Sequence, residues 1–446
     1  ASDAGANEFN SYSAALNPTN SSLFSMWSAY YVGIAGCNAA IDRAKGVSGM
    51  TQAQIDLKAG EAYFLRAWYY HQLISQFGGV PLKISESTEV ETTSKRNTEA
   101  ECWAQVISDL LKAEAVLPVN QADFGRATKG AAQGLLARVY LWTKKYAEAD
   151  TYAKKVIASG KYKLLPSFSD IFNPANTRNE EVIFSVQFSK NIRANSPANQ
   201  VHLYFTPRYD LQPGMTRALE YDRPYPRYMA SRFLLDLMQS NRWRDARYDQ
   251  SWRETYFANR LATAPAGMKL GDTAYVILPR IAGPAERARV GTKYKIIDIS
   301  FYYNGENPIG ALEIYPKLTK YDDPNRLAIN DGNGTKDIVD MRFSEMYEIS
   351  GEAQFMLGNT QAAVDQFNIV RARAAKPGMV NAMKFTTAAF NIDSILNERA
   401  LEFAGEGSRW MDLKRTGKLQ ERITKYNPKA RVFFDINKHT VRPIPS

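Results

Sequence analysis

Hydrophobic residues recur every three or four positions through most of the first 160 residues, which is the spacing of amphipathic helices. Thr51 with Gln54, and Thr98 with Glu101, form the capping-box pattern that marks the start of a helix. We therefore predict five long helices in this region, at about 24–45, 51–77, 98–117, 129–143 and 146–159.

Two segments of the chain each contain a pair of helical patterns joined by a short turn. Residues 129–157 give a helix, a tight turn at Lys144 and Lys145, and a second helix. A similar pattern returns at 341–375, with a Gly358–Asn359 turn between its helices. Such hairpins resemble tetratricopeptide units, which cannot bury their apolar faces alone and therefore stack. The chain is predicted to be mainly α-helical, with stacked hairpins as its frame.

Residues 165–340, here called the insertion, separate the two hairpins and have no sustained hydrophobic period. The insertion begins with a predicted strand, EVIFSVQFS at 181–189, and contains one predicted helix near 231–239. Pro, Gly and Asn interrupt the rest, as is typical of long functional loops. We expect one body, 1–446, made of three parts and a few short strands. These parts are N-terminal hairpins at 24–160, the insertion as ligand face, and 341–446 with the last hairpin, a helical block at 391–416 and a weak strand at 432–436.

The composition narrows the possible partners. Tyr, Phe and Trp make up 12% of the chain, a large supply of flat rings for a core or a binding face. The net charge of +10 is scattered rather than gathered in Lys/Arg blocks, which argues against nucleic acid as a partner. Cys37 and Cys102 lie in helical patterns and are predicted to be buried thiols.

Known catalytic and cofactor motifs are missing from the sequence. P-loop, GxGxxG, GxSxG and CxxC patterns do not occur, so neither an enzyme nor a cofactor is predicted. The three histidines are far apart, and the stretch 331–342 departs from a calcium-binding loop at Lys336 and Arg342, so we predict no metal site. No apolar run is long enough to predict a membrane-spanning helix.

Acidic and basic residues alternate along 398–415, within the run ILNERALEFAGEGSRWMDLKRTG. One interpretation is an acid or anion site. The other is a structural ladder of ion pairs, such as Glu402 with Arg399 and Arg409 with Asp412, that ties two helices together around Gly405 and Gly407. We favour the structural ladder, because charges of alternating sign neutralise each other.

Several segments together resemble the SusD-like (SusD/RagB) family. The two hallmark segments are EAYFLRAWYYHQLISQFGGVPL at 61–82 and NERALEFAGEGSRWMDLKRTG at 397–417. Supporting matches follow the same order along the chain, at 96–118, 126–157, 180–188, 245–247, 317–324, 342–353 and 443–445. The resemblance therefore extends over nearly the whole chain.

The resemblance implies an outer-membrane surface lipoprotein of Bacteroidetes, built on about four tetratricopeptide-like hairpins. Such proteins are not enzymes; they bind glycans and act as the lid of a SusC-like TonB-dependent transporter. The family's lipid-bearing Cys is not in this chain, since Cys37 lies within a helical pattern, so we expect the signal and anchor to precede residue 1. Hallmark residues such as Arg66, Arg399 and Asp412 are expected to be scaffold, which leaves ligand contacts to the variable loops.

A glycan site needs exposed rings that stack on sugar C–H faces and polar side chains that bond hydroxyls. The stretch 201–228 interleaves tyrosines with arginines and is broken by proline, so its rings do not fit the stripe of a helix core. Family ligand loops also lie shortly upstream of the segment at 61–82 and in the middle of the chain. The predicted ligand-binding residues are Tyr12, Asn17, Tyr204, Arg208, Tyr209, Tyr221, Arg223, Tyr225 and Tyr303. The alternative for each tyrosine is that it packs a loop onto the hairpins.

Two kinds of cargo remain open at this point. An oligosaccharide or polysaccharide is the first, and its charge is undecided because arginine bonds both acidic and neutral sugars. A peptide is the second, since some members of the family take peptides, which would require strand edges and an apolar cleft.

Overall fold

The computed structural model describes residues 4–90, 93–191, 199–309 and 313–446. Helices dominate these residues, which confirms the predicted mainly α-helical class. The helices, numbered along the chain, are α1 (Ala4–Ser11), α2 (Ser21–Ala44), α3 (Gln52–Phe77), α4 (Glu99–Val116), α5 (Lys129–Trp142), α6 (Tyr146–Ala158), α7 (Phe168–Ile171), α8 (Val201–Tyr204), α9 (Arg232–Asn241), α10 (Arg247–Ser251), α11 (Pro284–Val290), α12 (Phe343–Met356), α13 (Thr360–Ala374), α14 (Val380–Met383), α15 (Ile392–Glu402), α16 (Arg409–Arg415), α17 (Leu419–Tyr426) and α18 (Ile436–His439).

Strands are short and belong to the insertion and its border. They are β1 (Val182–Val186), β2 (Trp252–Arg253), β3 (Thr255–Phe257), β4 (Thr273–Ile277), β5 (Lys295–Ile297), β6 (Tyr303–Asn304), β7 (Asn307–Pro308), β8 (Lys317–Leu318) and β9 (Ile338–Arg342). β1 pairs antiparallel with β9, β2 with β8, and β6 with β7. β4 is the central strand of a three-stranded sheet, antiparallel to β3 and parallel to β5.

Successive long helices pack on one another to form the frame. From α2 to α6 each helix packs on the next, and then α6 packs on α12 and α12 on α13. The stack is therefore continuous across the insertion. Both predicted capping boxes are present, at Thr51 and Thr98. Gly134 lets α5 lie close to β9, because a Cβ at this position would lie 2.5 Å from the Met341 sulfur.

In the C-terminal part the block at 391–416 contains two helices on either side of Gly405 and Gly407, as expected, and one local prediction, a strand at 432–436, is wrong. The block at 391–416 is interrupted after α15, because Gly405 and Gly407 adopt positive φ angles of +80° and +85° that turn the chain. The segment 432–436 forms turns and the start of α18 rather than a strand. Its backbone N–H groups at Phe433 and Phe434 donate to the carbonyl of buried Ala430, which fixes the turn.

The alternating charges at 398–415 are buried and paired, which supports the structural interpretation. The Glu402 carboxylate accepts from Arg247 at 3.0 Å and also from Arg342 and Arg373. All four side chains are at most 4% exposed. These arginines come from α10, the end of β9 and α13, so the network joins the insertion, the last hairpin and the C-terminal block.

Both predicted pairs in this ladder are wrong, since Glu402 does not pair with Arg399 and Arg409 does not pair with Asp412. Asp412 pairs with Arg399 at 2.8 Å and with Arg415 at 2.7 Å. Arg409 instead donates to the Leu396 carbonyl oxygen. The two cationic partners hold the pKa of Asp412 down at about 2, against the opposing effect of burial.

Apolar side chains form two large cores, one inside the helical stack and one inside the insertion. Cys37 and Cys102 are buried free thiols, as predicted. Within the described ranges, the helices lack the combination of length and apolar character that crossing a bilayer requires.

Candidate functional site

Two of the predicted ligand tyrosines belong to the core of the insertion. Tyr209 is fully buried, and its ring stacks on Tyr256 with centroids 5.6 Å apart. Its hydroxyl donates to the Asp222 carbonyl oxygen at 2.8 Å. Tyr221 is 5% exposed, and burial raises the pKa of both phenols. Neither ring has a face open to a sugar, so we revise the prediction for both residues and assign them to packing.

Tyr12, Tyr303 and Asn17 are likewise engaged within the fold. Tyr12 is 4% exposed and accepts a hydrogen bond from the Trp410 indole at 2.8 Å. Tyr303 is 5% exposed and donates to the Ala230 carbonyl oxygen at 2.7 Å. The Asn17 side chain closes a local turn, where it accepts from the Thr19 backbone N–H at 2.9 Å. We revise the prediction for Tyr12 and Asn17, whereas Tyr303 also lines the cleft described below and stays a predicted ligand residue.

The two predicted arginines lie at the margin of the surface. Arg208 pairs with Asp210 at 3.2 Å, and the same carboxylate also pairs with Arg217 at 2.8 Å. Arg223 is half-buried and lies against Gly332. Both side chains are therefore partly exposed.

The remaining two residues, Tyr204 and Tyr225, lie together at the surface with Arg227 and Tyr228. We call these four residues the tyrosine platform. The backbone N–H groups of Arg227 and Tyr228 both donate to the Tyr204 carbonyl oxygen, at 2.9 and 2.8 Å. Proline at position 226 fixes its own φ angle and keeps this short segment extended. Backbone hydrogen bonds thus hold the irregular segment 225–228 against the end of α8.

An arginine lies between the two rings of the platform. The Arg227 guanidinium is centred 4.6 Å from the Tyr204 ring and 4.8 Å from the Tyr225 ring, within the range of cation–π attraction. Arg227 also donates to the Tyr225 hydroxyl at 3.1 Å. Tyr225 is 37% and Tyr228 is 44% exposed, so both present ring surface to solvent.

The platform rests on further aromatic rings. Tyr228 packs against Tyr204 edge to face, with centroids 5.7 Å apart, and against Phe205 at 5.4 Å. Phe205 stacks in turn on Tyr321, and the Tyr321 hydroxyl donates to the Gly405 carbonyl oxygen at 3.0 Å. The exposed rings are therefore connected, through Phe205 and Tyr321, to the turn that contains Gly405.

Beside the platform is a cleft of about 230 Å³, which Arg227 and Tyr228 help to line. Its polar walls come from four separate segments of the chain and include Asn7, Asn10, Arg232, Glu306, Asn427 and Lys429. The Asn427 amide donates to the Asn10 side chain at 3.0 Å and so joins the two ends of the chain at this wall. Rings and hydrogen-bonding groups thus form one surface.

Sequence reasoning found the stretch that carries the platform but missed most of the cleft. The sequence around the missed residues does not interleave aromatic residues with arginines as 201–228 does. These residues are Arg232, Asn427 and Lys429. Only the folded chain brings them next to Tyr228. Among the described residues, no group of three or more His, Cys, Asp or Glu side chains is arranged to hold a metal ion.

Comparisons with known proteins show which protein families and relatives this chain is similar to. Residues 1–141 match a family model described as starch-binding associating with outer membrane, and residues 180–442 match the model of the SusD family. SusD-like protein P38 of Formosa agariphila is 26% identical over 427 residues, which cover 91% of this chain and 75% of that protein. The starch-binding protein SusD of Bacteroides thetaiotaomicron is 37% identical over 141 residues, or 30% of this chain and 25% of that protein.

Solved structures have the same fold. A SusD homolog from Bacteroides thetaiotaomicron superposes with a TM-score of 0.75 at 20% identity, covering 98% of this chain and 85% of that one. A laminarin-binding SusD-like protein superposes with a TM-score of 0.71 at 23% identity, covering 96% and 84%.

Proposed function

The chain belongs to the SusD/RagB family, and from this premise we propose that it captures glycans on the tyrosine platform and delivers them to a SusC-like TonB-dependent transporter. As a member of this family it is a binding protein and not an enzyme, and it associates with the outer membrane. We further propose that it faces outward there through a lipid anchor. The platform with its adjoining cleft is the observation that carries the proposal.

The chemistry of the platform suits a sugar. The exposed rings of Tyr225 and Tyr228 offer apolar faces of the kind on which the C–H face of a pyranose stacks. The Arg227 guanidinium beside these tyrosines supplies N–H donors for the hydroxyl groups of the sugar. Amide side chains in the cleft, at Asn10 and Asn427, add both donors and acceptors. Each such contact contributes only about 0.5–1.5 kcal/mol in solvent, so we expect modest affinity for a single oligosaccharide.

The charge around the cleft favours testing acidic glycans beside neutral ones. Arg227, Arg232 and Lys429 line it together with Glu306; Arg232 pairs with Asp236 at 2.8 Å, and Glu306 pairs with Arg431 at 2.7 Å. Affinity for an acidic glycan should fall as ionic strength rises, because exposed charges are screened within about 10 Å at 0.1 M salt. Affinity that is indifferent to salt would restrict the cargo to neutral sugars.

The test is a double variant, Tyr225→Ala with Tyr228→Ala, run on affinity gels containing starch, laminarin and a panel of other polysaccharides. We expect the variant to lose the retardation that the parent protein shows on its polysaccharide. Its melting temperature should fall only slightly, because both rings lie at the surface, 37% and 44% exposed, and outside the two large cores. The matched control is Trp243→Ala, which removes a ring that is 59% exposed and lies outside the platform.

Equal retardation of the double variant and the parent would overturn the assignment of the platform. A peptide library run in parallel tests the alternative cargo: binding of peptides with no binding of any polysaccharide would replace the glycan proposal. Delivery is tested separately, by co-purifying the anchored protein with its transporter from native outer membranes. An anchored protein that never co-purifies with a transporter would refute the delivery step but leave glycan capture intact.

A further inference from the structure

One end of the three-stranded sheet in the insertion presents an exposed surface. β3 and β4 are antiparallel neighbours, so the loop that joins them leaves the sheet at this end. β5 runs parallel to β4, so its first residue, Lys295, lies at the same end. The β3–β4 loop and the start of β5 are therefore neighbours. We call residues 257–272 and 293–295 the loop surface.

The β3–β4 loop is held by the neighbouring segment around Gly214. The backbone N–H groups of Asn259 and Arg260 both donate to the Gly214 carbonyl oxygen, at 2.9 and 3.0 Å. The Asn259 side chain accepts from the Thr216 N–H at 2.7 Å and donates to the Thr216 carbonyl oxygen at 3.0 Å. Met268 packs inward against the core of the insertion. The loop therefore presents its exposed side chains from a defined backbone.

Apolar side chains are concentrated on the loop surface. Phe257 is 47% exposed, Leu261 49% and Leu270 62%. The stretch between the two leucines, ATAPAGMK, contains one charged residue, Lys269. Single exposed apolar residues are ordinary, but several within one loop mark a surface that contacts a partner. The partner must therefore offer an apolar environment.

Four exposed cations accompany these apolar side chains. They are Arg260, Lys269, Lys293 and Lys295. None of the four has an ion-pair partner within the described ranges. The single carboxylate of the loop surface, Asp272, accepts from the Lys269 backbone N–H at 2.8 Å. The surface therefore carries a net positive charge, and its cations are available to an anionic partner.

The combination of leucines and cations favours one anionic partner over another. An acidic glycan would pair with the cations but leave the leucines in water, because aliphatic side chains lack the flat ring faces on which sugars stack. A bilayer with phosphate headgroups satisfies both, since apolar side chains enter its interface and cations bind its phosphates. As a member of its family the chain associates with the outer membrane, so a lipid surface is close to it.

We propose that the loop surface contacts an anionic bilayer, with Leu261 and Leu270 in the interface and the four cations on lipid phosphates. A single acyl chain binds a membrane only marginally, and stable attachment takes a second signal such as a basic patch. The loop surface supplies such a signal. It shares no residue with the tyrosine platform or its cleft, so the contact does not depend on glycan capture.

The experiment is flotation of the purified chain with unilamellar vesicles of phosphatidylcholine, with or without phosphatidylglycerol, at about 0.1 M salt. We expect the chain to float with the anionic vesicles only. Lys269→Gln with Leu270→Ser should weaken this binding by about tenfold or more. One cation near an anionic surface contributes about fivefold, and the leucine adds the apolar area that it buries.

The matched control is Lys384→Gln with Leu357→Ser. It also removes one exposed lysine and one exposed leucine, but from outside the insertion. We expect this control to float as the parent does. Both double variants should melt at the parent temperature, because all four side chains are exposed.

Two further measurements separate a lipid surface from a soluble polyanion. Leu270→Ser alone should weaken binding to the anionic vesicles but leave binding to dextran sulfate unchanged, because dextran sulfate offers charge without an apolar interface. An indole introduced by Leu270→Trp should be quenched by brominated lipids in the anionic vesicles. Leu357→Trp should add no such quenching.

Three results would overturn the proposal. The first is no flotation with anionic vesicles. The second is equal weakening by the Lys269/Leu270 variant and by its control, which would assign the binding to the scattered net charge. The third is full vesicle affinity in Leu270→Ser, which would leave a surface for soluble polyanions such as acidic glycans. The Tyr225/Tyr228 double variant should float as the parent does, so failure here leaves the platform proposal untouched.

Discussion

Removing one buried carboxylate should severely destabilise the whole frame. Glu402 is fully buried and is shared by three guanidinium groups, from Arg247, Arg342 and Arg373. Glu402→Gln keeps the shape but removes the charge that compensates them. Breaking a buried ion pair by deleting one partner costs about 3–5 kcal/mol. We expect about 3 kcal/mol, the lower end, because Arg342 and Arg373 also share Glu181.

The measurement is urea unfolding followed by circular dichroism, with the free energy of unfolding extrapolated to water. Glu180→Gln is the matched control, because Glu180 neighbours the network in sequence but is 58% exposed and pairs only with exposed Lys163 among the described residues. Exposed pairs contribute about 0–1 kcal/mol, so the control should unfold nearly as the parent does. A loss below about 1 kcal/mol for Glu402→Gln would refute the view that this network clamps the three parts of the chain.

The same network sets the response to acid. Its arginines lower the pKa of Glu402 below the ordinary value of about 4.3 for glutamate, although burial opposes them. A carboxylate with a depressed folded-state pKa stabilises the fold above its unfolded pKa, and this contribution is lost as the pH falls through the folded pKa. The stability difference between the parent and Glu402→Gln should therefore be largest near neutral pH and shrink below about pH 4. A difference that stays constant from pH 7 to pH 3 would contradict this assignment.

Two further experiments test the turn after α15 and the burial of the two thiols. Gly405→Ala should lower the melting temperature more than Gly407→Ala, because both residues have positive φ but only the Cβ at position 405 would collide with Leu318; equal shifts in differential scanning calorimetry would contradict this. The thiols of Cys37 and Cys102 should react with a thiol reagent slowly in the native protein and rapidly in urea, because burial raises the pKa of both; fast reaction of the native protein would show that the helices around them open.

Much of the frame could be predicted from the sequence because its signals are local. Helix α3 follows from the Thr51 capping box, and its end follows from Gly78 and Pro81. The break after Glu402 was also indicated by the sequence, since Gly405 and Gly407 separate the two helices of the charge ladder. Both glycines adopt positive φ angles, which glycine does without strain, and this conformation turns the chain between α15 and α16.

The candidate site was less predictable for a physical reason. Tyr209 and Tyr225 belong to the same proline-broken, arginine-rich stretch, yet the first is fully buried and the second 37% exposed. Periodicity separates inner from outer faces in a helix or strand, but an irregular loop has no period to use. Which ring faces solvent is decided by tertiary neighbours such as Tyr256, which lies 47 positions further along the chain from Tyr209.

The pairing of β1 with β9 has an evolutionary consequence. Val186 lies opposite Ile338, so the 151 residues between them leave and re-enter the helical frame at one pair of adjacent strands. A cassette bounded by these two strands could be exchanged between relatives, altering cargo preference without rebuilding the helical stack. An exchanged segment would have to keep Asp245 and Arg247. Asp245 pairs with Arg247, and Arg247 forms the ion pairs with Glu398 and Glu402 that attach the segment to the C-terminal block.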